Sequence, residues 1–155
     1  MYKKDEILVV IPARGGSKRV PKKNILKIVG TPMILWTLQA VTKFIDKKNI
    51  IVSTDDKKTA EIVASFGIEV PFMRPKSLAD DFTTTSQVSK HALSWYENKN
   101  RNKNIKYIII VYPTSIFIEC NDLLNAYEFM ERNKGCTVFF TVAEYPHPIQ
   151  RAIRS

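Results

Sequence analysis

Cysteine and histidine are scarce in this chain: Cys120, Cys136, His91 and His147 are all it has. Two cysteines without metal-ligand spacing exclude a disulfide framework and a zinc pattern, and they read as reduced thiols packed wholly or half inside. No apolar run approaches the roughly 20 residues needed to cross a bilayer. The charged start, Met1 to Glu6, leads into an aliphatic run from Ile7 to Ile11. That run is too short for a secretion signal and ends at Pro12 rather than at a cleavage site. The expectation is a cytoplasmic protein with no membrane partner. Glycine is also sparse, five in 155 residues, so the adjacent pair Gly15-Gly16 marks an unusual loop. Neither Gly-x-x-x-x-Gly-Lys-Ser/Thr nor Gly-x-Gly-x-x-Gly occurs, which excludes a P-loop and disfavours a dinucleotide fold. Asp-x-Asp, internal repeats and low-complexity linkers are absent as well.

Negative charge is the last shortage. Fifteen Asp and Glu stand against 24 Lys and Arg, a formal net charge of +9. Such an excess can mark a nucleic-acid partner, whose binding would fall steeply with salt. Here many lysines lie in scattered pairs beside asparagine, as in Lys47-Lys48-Asn49, Lys99-Asn100 and Lys103-Asn104. That pattern reads as solvated loops, so no nucleic-acid partner is expected. One basic cluster sits where chemistry is plausible, between Arg14 and Lys23.

What is present is an alternation of apolar runs with amphipathic stretches. Ile7 to Ile11 predicts a strand buried on both faces. Thr31-Pro32 opens a predicted helix, with Pro at its first position, and Ile34, Leu35, Leu38, Val41, Thr42 and Ile45 recur at helical spacing. Asn49 to Thr54 predicts a second strand. Asp55 or Asp56 caps a helix from Lys57 to Phe66 that ends at Gly67. Glu69 to Phe72 predicts a short third strand. Ser86 to Glu97 predicts a helix holding His91, read as a surface or packing histidine. Lys106 to Tyr112 predicts a fourth strand, expected to be the most buried. Asn121 or Asp122 caps a helix to about Asn133, and Thr137 to Val142 predicts a fifth strand. Strands alternating with helices imply right-handed crossovers and a mostly parallel sheet with helices on both faces, three layers in one α/β domain over residues 1–155. Ligands of such sheets bind beyond the carboxyl ends of the strands. That rule selects residues 12–24, 53–56, 74–85 and 112–117.

The first of these segments reads Ile11-Pro12-Ala13-Arg14-Gly15-Gly16-Ser17-Lys18-Arg19-Val20-Pro21-Lys22-Lys23-Asn24. Adjacent glycines let several backbone N–H groups turn into one concavity, a nest suited to phosphate. Ser17 adds a hydroxyl donor, and Arg14, Lys18 and Lys23 add positive charge, with Arg able to bind phosphate through two donors. A plain flexible basic loop is the alternative reading.

These residues resemble the opening of the acylneuraminate cytidylyltransferases, which have a Rossmann-like nucleotidyltransferase fold. Further segments agree in order and spacing: Val52-Ser53-Thr54-Asp55-Asp56, Val70-Pro71-Phe72-Met73-Arg74-Pro75, Leu78-Ala79-Asp80-Asp81-Phe82, Tyr112-Pro113-Thr114-Ser115, and Tyr145 to Ala152. The resemblance implies a CTP-binding domain working with Mg²⁺, transfer of CMP to a nonulosonic sugar acid, and release of pyrophosphate. It implies that Arg14 and Lys18 hold the triphosphate, lined by Ala13, Gly15, Gly16 and Ser17, with Lys23 and Asn24 near phosphate and nucleotide. It places Arg74 by the cytosine, and Thr83 and Thr85 by base and ribose. Tyr112, Thr114, Ser115, Gln150 and Arg151 would face the sugar acid. Tyrosine at position 112, where many sialic-acid enzymes carry Gln, favours the pseudaminic branch; N-acetylneuraminate or legionaminate is the alternative. Asp55 and Asp56 are read first as helix caps. Asp80 and Asp81 divide evenly between loop hydrogen bonding and the site, and His147 is a lesser candidate for sugar contact.

The resemblance also implies longer proteins. Their metal-binding aspartates, and the extension that forms a homodimer, would lie beyond Ser155, so no metal ligand is expected within this chain. The sequence therefore reads as a truncated cytidylyltransferase, or as a non-catalytic nucleotide-binding remnant of one.

Overall fold

The computed structural model describes residues 3–101 and 103–142. Its centre is β1 (Ile7–Pro12), whose residues Ile7 to Ile11 are fully buried. β4 (Ile50–Ser53) lies along one edge and β5 (Tyr107–Ile110) along the other, both parallel to β1. The registers run from Val9 opposite Ile50 to Pro12 opposite Ser53, and from Ile7 opposite Tyr107 to Val10 opposite Ile110. A parallel strand needs a crossover between partners, and the helices supply it.

Strand period sorts β1 onto two cores. Ile7, Val9 and Ile11 join Ile34, Leu38, Val41 and Phe44 of α1 (Met33–Phe44), Val63 of α2 (Lys57–Ser65), and Leu123 and Tyr127 of α4 (Cys120–Arg132). Leu8 and Val10 join Ile51 of β4 and Ala92 and Tyr96 of α3 (Thr85–Lys99) on the opposite face. The result is the expected α/β sandwich of three layers. Burying each large aliphatic is worth about 1.5–3 kcal/mol, so the five residues of β1 anchor the domain. Among the described residues no helix is long and apolar enough to cross a membrane.

Local chemistry sets the helix ends. Asp56 caps α2, accepting from the Thr59 amide at 2.9 Å, and Gly67 at φ +80 ends it with its amide on Ala64 O. Thr84 and Gln87 form a capping box on α3. α4 is capped two or three residues earlier than expected: Glu119 is the N-cap, and Asp122 reaches back to accept from its amide at 2.8 Å. Pro32 likewise falls at the N-cap of α1 rather than inside the helix, because Thr31–Pro32 is used as a strand, β3. β3 pairs antiparallel with β2 (Lys27–Ile28) across Val29 and Gly30, both at positive φ. Two positive-φ residues are what a tight hairpin demands, and a β-branched residue hid that signal.

Three strand expectations are corrected. Residues 69–72 form no strand; a single parallel bridge joins Thr54 to Met73, and the Arg74 amide donates to Thr54 O at 2.7 Å. Pro71 has no N–H to give a ladder. Residues 137–142 pair with no strand among the described residues, and Val138, Phe140 and Val142 stand 71–81% exposed. Alternating apolar side chains predict strand character, but a strand exists only beside a partner that takes its backbone groups. β5 is not the most buried strand, since Ile108 and Ile110 are 37% and 39% exposed. It is an edge of the described sheet, and α3 packs over β1 and β4 rather than over β5.

A buried polar tie fixes the amino end of the sheet. Asn49, fully buried, donates to Lys4 O at 2.8 Å and Ile7 O at 3.1 Å, and accepts from the Tyr96 hydroxyl at 3.0 Å. It thus joins β1, β4 and α3. Asn49→Ala removes all three bonds at a fully buried position, so a loss of about 2–3 kcal/mol is expected by urea denaturation, against roughly 1 kcal/mol for Tyr96→Phe. Equal stability of Asn49→Ala and wild type would show that water replaces the tie.

Candidate functional site

With β1, β4 and β5 parallel, their carboxyl ends share one edge, and the segments after them meet there. After β1 the buried Ala13 donates its amide to Ser53 O at 2.8 Å, which ties the start of the cationic loop to the end of β4. Asn24, also buried, donates its side-chain amide to Arg14 O at 2.9 Å and closes the loop on itself. Lys22 at φ 53 leads into the 3₁₀ turn Lys23–Ile25 that delivers Asn24, and Lys23 is half-buried there.

Inside this loop the glycines differ. A Cβ on Gly15 would lie 2.8 Å from the Asp56 Cβ, so the close approach to α2 demands glycine. A Cβ on Gly16 would meet nothing within 4 Å. The Gly15 amide donates to Asp55 Oδ1 at 2.8 Å, and the Ser17 amide turns back to Gly15 O at 2.9 Å. Two amides expected to line an anion are therefore engaged by the protein itself in this state.

Two of the loop's cations, Arg14 and Lys18, converge on a carboxylate. Arg14 Nη1 lies 2.8 Å from Asp81 Oδ1 and donates to Asp80 O at 2.7 Å, while Lys18 Nζ pairs with Asp81 Oδ2. Hydrogen bonds from Lys18 and then Arg14 hold the Asp81 carboxyl below the usual carboxylate range. Asp80 shapes the turn that presents Asp81: its Oδ1 accepts from the Thr83 hydroxyl at 2.6 Å, the Thr83 amide at 2.7 Å and the Phe82 amide at 3.1 Å. These bonds, the Thr83 hydroxyl's first, also lower its pKa. Loop hydrogen bonding and site contact thus fall to different members of the Asp80-Asp81 pair.

Arg74 is buried, with Nε donating to Ser53 Oγ at 3.0 Å and Nη2 to Ser53 O. Burial pulls its pKa down and the nearby Asp55 pushes it back up. The Thr85 hydroxyl lies 3.0 Å from the Tyr112 hydroxyl, joining the start of α3 to the end of β5. Tyr112 is half-exposed, Thr114 is exposed, and the Ser115 amide donates to Tyr112 O at 3.0 Å. Gln150 and Arg151, with Tyr145 to Ala152 and His147 as a whole, lie outside the described residues. The structure thus gathers Arg14, Lys18, Asn24, Arg74, Thr83, Thr85 and Tyr112 onto the elements of one sheet edge.

Sequence reasoning gave no specific role to two residues that the structure uses. Ser53, inside the selected segment 53–56, is fully buried and takes bonds from both Ala13 and Arg74; its place at the end of the predicted strand 49–54 was the available signal. Of the two cap candidates Asp55 and Asp56, Asp56 caps and Asp55 holds Gly15. Among the described residues no three His, Cys, Asp or Glu side chains gather to hold a metal ion. The carboxylates nearest the loop, Asp55, Asp56 and Asp81, each serve a separate protein partner. They do not fit a protein-built Mg²⁺ site.

The sequence profile of a family described as Cytidylyltransferase matches residues 8–148. The chain is 32% identical over 145 residues to a pseudaminic acid cytidylyltransferase of Campylobacter jejuni subsp. jejuni serotype O:23/36, covering 94% of this chain and 61% of that protein. It is 30% identical over 151 residues to the N-acylneuraminate cytidylyltransferase of Escherichia coli O18:K1:H7, covering 96% of this chain and 34% of that protein. The chain therefore spans less than two thirds of the length of these relatives. Among solved structures, the CMP:2-keto-3-deoxy-manno-octonic acid synthetase complexed with CTP superposes with a TM-score of 0.65 at 24% identity, over 83% of this chain and 48% of that one. That likeness shows a shared fold.

Two outcomes follow from the loop geometry alone. Gly15→Ala forces its methyl into Asp56, and an overpacking loss of about 1–3 kcal/mol is expected in thermal unfolding; unchanged stability would mean that the contact yields freely. Asp56→Ala removes the α2 cap, at a cost of about 0.5–2 kcal/mol near neutral pH. Bonds from Thr59, its hydroxyl first, depress the Asp56 pKa in the folded state. The stabilisation is therefore complete above the ordinary carboxylate pKa of about 4 and fades as pH falls through the lower folded value. The gap between wild type and Asp56→Ala should narrow in acid, and a gap constant down to pH ~2 would exclude the charge contribution.

Proposed function

This chain belongs to the cytidylyltransferase family, and from that premise we propose that it forms the CTP-binding part of an enzyme that transfers CMP to a nonulosonic acid, pseudaminic acid by preference. The observation that carries the reading is the convergence of Arg14 and Lys18 on a single anionic group at the carboxyl edge of the sheet. The guanidinium and ammonium that donate to this carboxylate offer the donors that a phosphate group would accept from.

The chemistry asks little of the protein beyond positioning and charge. The anomeric hydroxyl of the sugar acid attacks the α-phosphorus of CTP in line, the new P–O bond forms as the bond to the β-phosphate oxygen breaks, and pyrophosphate leaves. Charge builds on the leaving phosphates, and Arg14 and Lys18 are the groups that stabilise it. Asn24 and Ala13 hold the loop in place, and Asp55 fixes Gly15 from the side of α2. Arg74, anchored on Ser53, and the Thr83–Thr85 segment are assigned to the nucleoside, and Tyr112, Thr114 and Ser115 to the sugar acid. Two points support the pseudaminic choice: the kinship with the Campylobacter jejuni protein, and a half-exposed tyrosine at 112 whose hydroxyl meets Thr85. Mg²⁺ would neutralise phosphate charge when bound.

Calorimetry with CTP, UTP and ATP tests the nucleotide site. CTP should bind in preference to the others, and Arg14→Ala or Lys18→Ala should weaken it by about tenfold or more, the loss of at least one charge-assisted contact, with the far-ultraviolet circular dichroism unchanged. Undiminished CTP binding in both variants would remove the assigned role. Pyrophosphate release compared among pseudaminic, legionaminic and N-acetylneuraminic acids identifies the sugar.

A further inference from the structure

The cationic pair does not wait open for its ligand. Asp81 gives one carboxylate oxygen to Arg14 and the other to Lys18, and Arg14 Nη1 is held a second time by Asp80 O. Among the described residues, every charge-assisted contact of these two cations ends on the Asp80-Asp81 segment. We propose that Asp81 is an internal competing anion, a latch that fastens the 76–84 segment onto the phosphate loop and that a polyphosphate displaces on binding. The inference rests on the assignment of Arg14 and Lys18 to the triphosphate.

The surrounding geometry makes this a device rather than an ordinary surface ion pair. Asp80 spends its own carboxylate on the Phe82 and Thr83 amides and the Thr83 hydroxyl, so Asp81 is held out toward the loop by a turn that is closed without it. Releasing Asp81 therefore leaves the turn intact. The turn runs directly into Thr84, which caps α3, and Thr85, whose hydroxyl meets Tyr112. Motion of Asp81 is thereby linked by a few residues to both the nucleoside and the sugar sides of the edge. The bonds are also cheap to break. Lys18 is 81% exposed and the Asp81 side chain 33% exposed, so water and salt screen the pair and it contributes little to the fold.

The competition favours the ligand by charge. Asp81 brings one negative charge, and a nucleoside triphosphate brings several, spread over oxygens that match both cations. The latch lowers apparent affinity by the fraction of molecules in which the cations are free. It also gives the site a selectivity filter: a ligand with a single weak negative charge gains nothing over Asp81, whereas a polyphosphate does.

Calorimetric titration of inorganic pyrophosphate and of CTP into wild type, Asp81→Asn and Asp81→Glu, with folding checked by circular dichroism, decides the matter. Asp81→Asn should bind pyrophosphate about fivefold or more tightly than wild type, as expected if most molecules are latched. Asp81→Glu keeps the charge and should stay near wild type. A purely structural role for Asp81 would instead weaken binding in Asp81→Asn. Equal or weaker pyrophosphate binding by Asp81→Asn overturns the latch while leaving CTP binding to the cations standing. Failure of wild type and both variants to bind either ligand at millimolar concentration overturns the latch together with the phosphate assignment.

Discussion

The carbonyl of Ser53 accepts two hydrogen bonds, one from the Ala13 amide and one from the Arg74 guanidinium, while its hydroxyl accepts a third from Arg74 Nε. Ser53 is fully buried at the carboxyl end of β4, where an unpaired carbonyl would carry a full desolvation cost. Satisfying it from both sides draws the start of the cationic loop and the 74 segment to one point. The loop's cations, the aspartates that meet them and the buried arginine are therefore arranged around a backbone group that itself performs no chemistry.

Four aspartates lie around that point in two identical Asp-Asp pairs, and each does something different. Asp56 caps α2, Asp55 accepts the Gly15 amide, Asp80 folds a turn and Asp81 meets Arg14 and Lys18. The division follows from geometry. In each pair one side chain is taken by backbone amides two or three residues ahead, the ordinary local use of aspartate. Its neighbour points elsewhere and must find a partner across the site. A net charge of +9 makes anionic groups valuable at this edge, since each one offsets repulsion among the loop's cations before any ligand arrives.

Much of the fold was legible in the residues. A five-residue aliphatic run is buried on both faces as β1, and helical spacing and Gly67 mark α1, α2 and α3 within a residue or two. Strands fared worse, because a strand is a relation between two segments. Residues 69–72 and 137–142 have strand-like patterns, yet Pro71 cannot complete a ladder and Val138, Phe140 and Val142 face solvent. β5 looked most buried from four consecutive aliphatics, but burial depends on which helix covers which strand, and α3 lies over β1 and β4.

The sequence by itself determined the composition of the cationic loop, its place after the first buried strand, and the kinship that its residue order carries. Those are properties of contiguous residues, whose local spacing constrains backbone and charge directly. Only the tertiary structure decided that Asp81, 67 residues beyond Arg14 by numbering, would close on Arg14 and Lys18, and that Asp55 rather than Asp56 would take the Gly15 amide. Such pairings depend on how parallel strands bring distant loops to one edge, and no local pattern records which of two adjacent carboxylates will face across it.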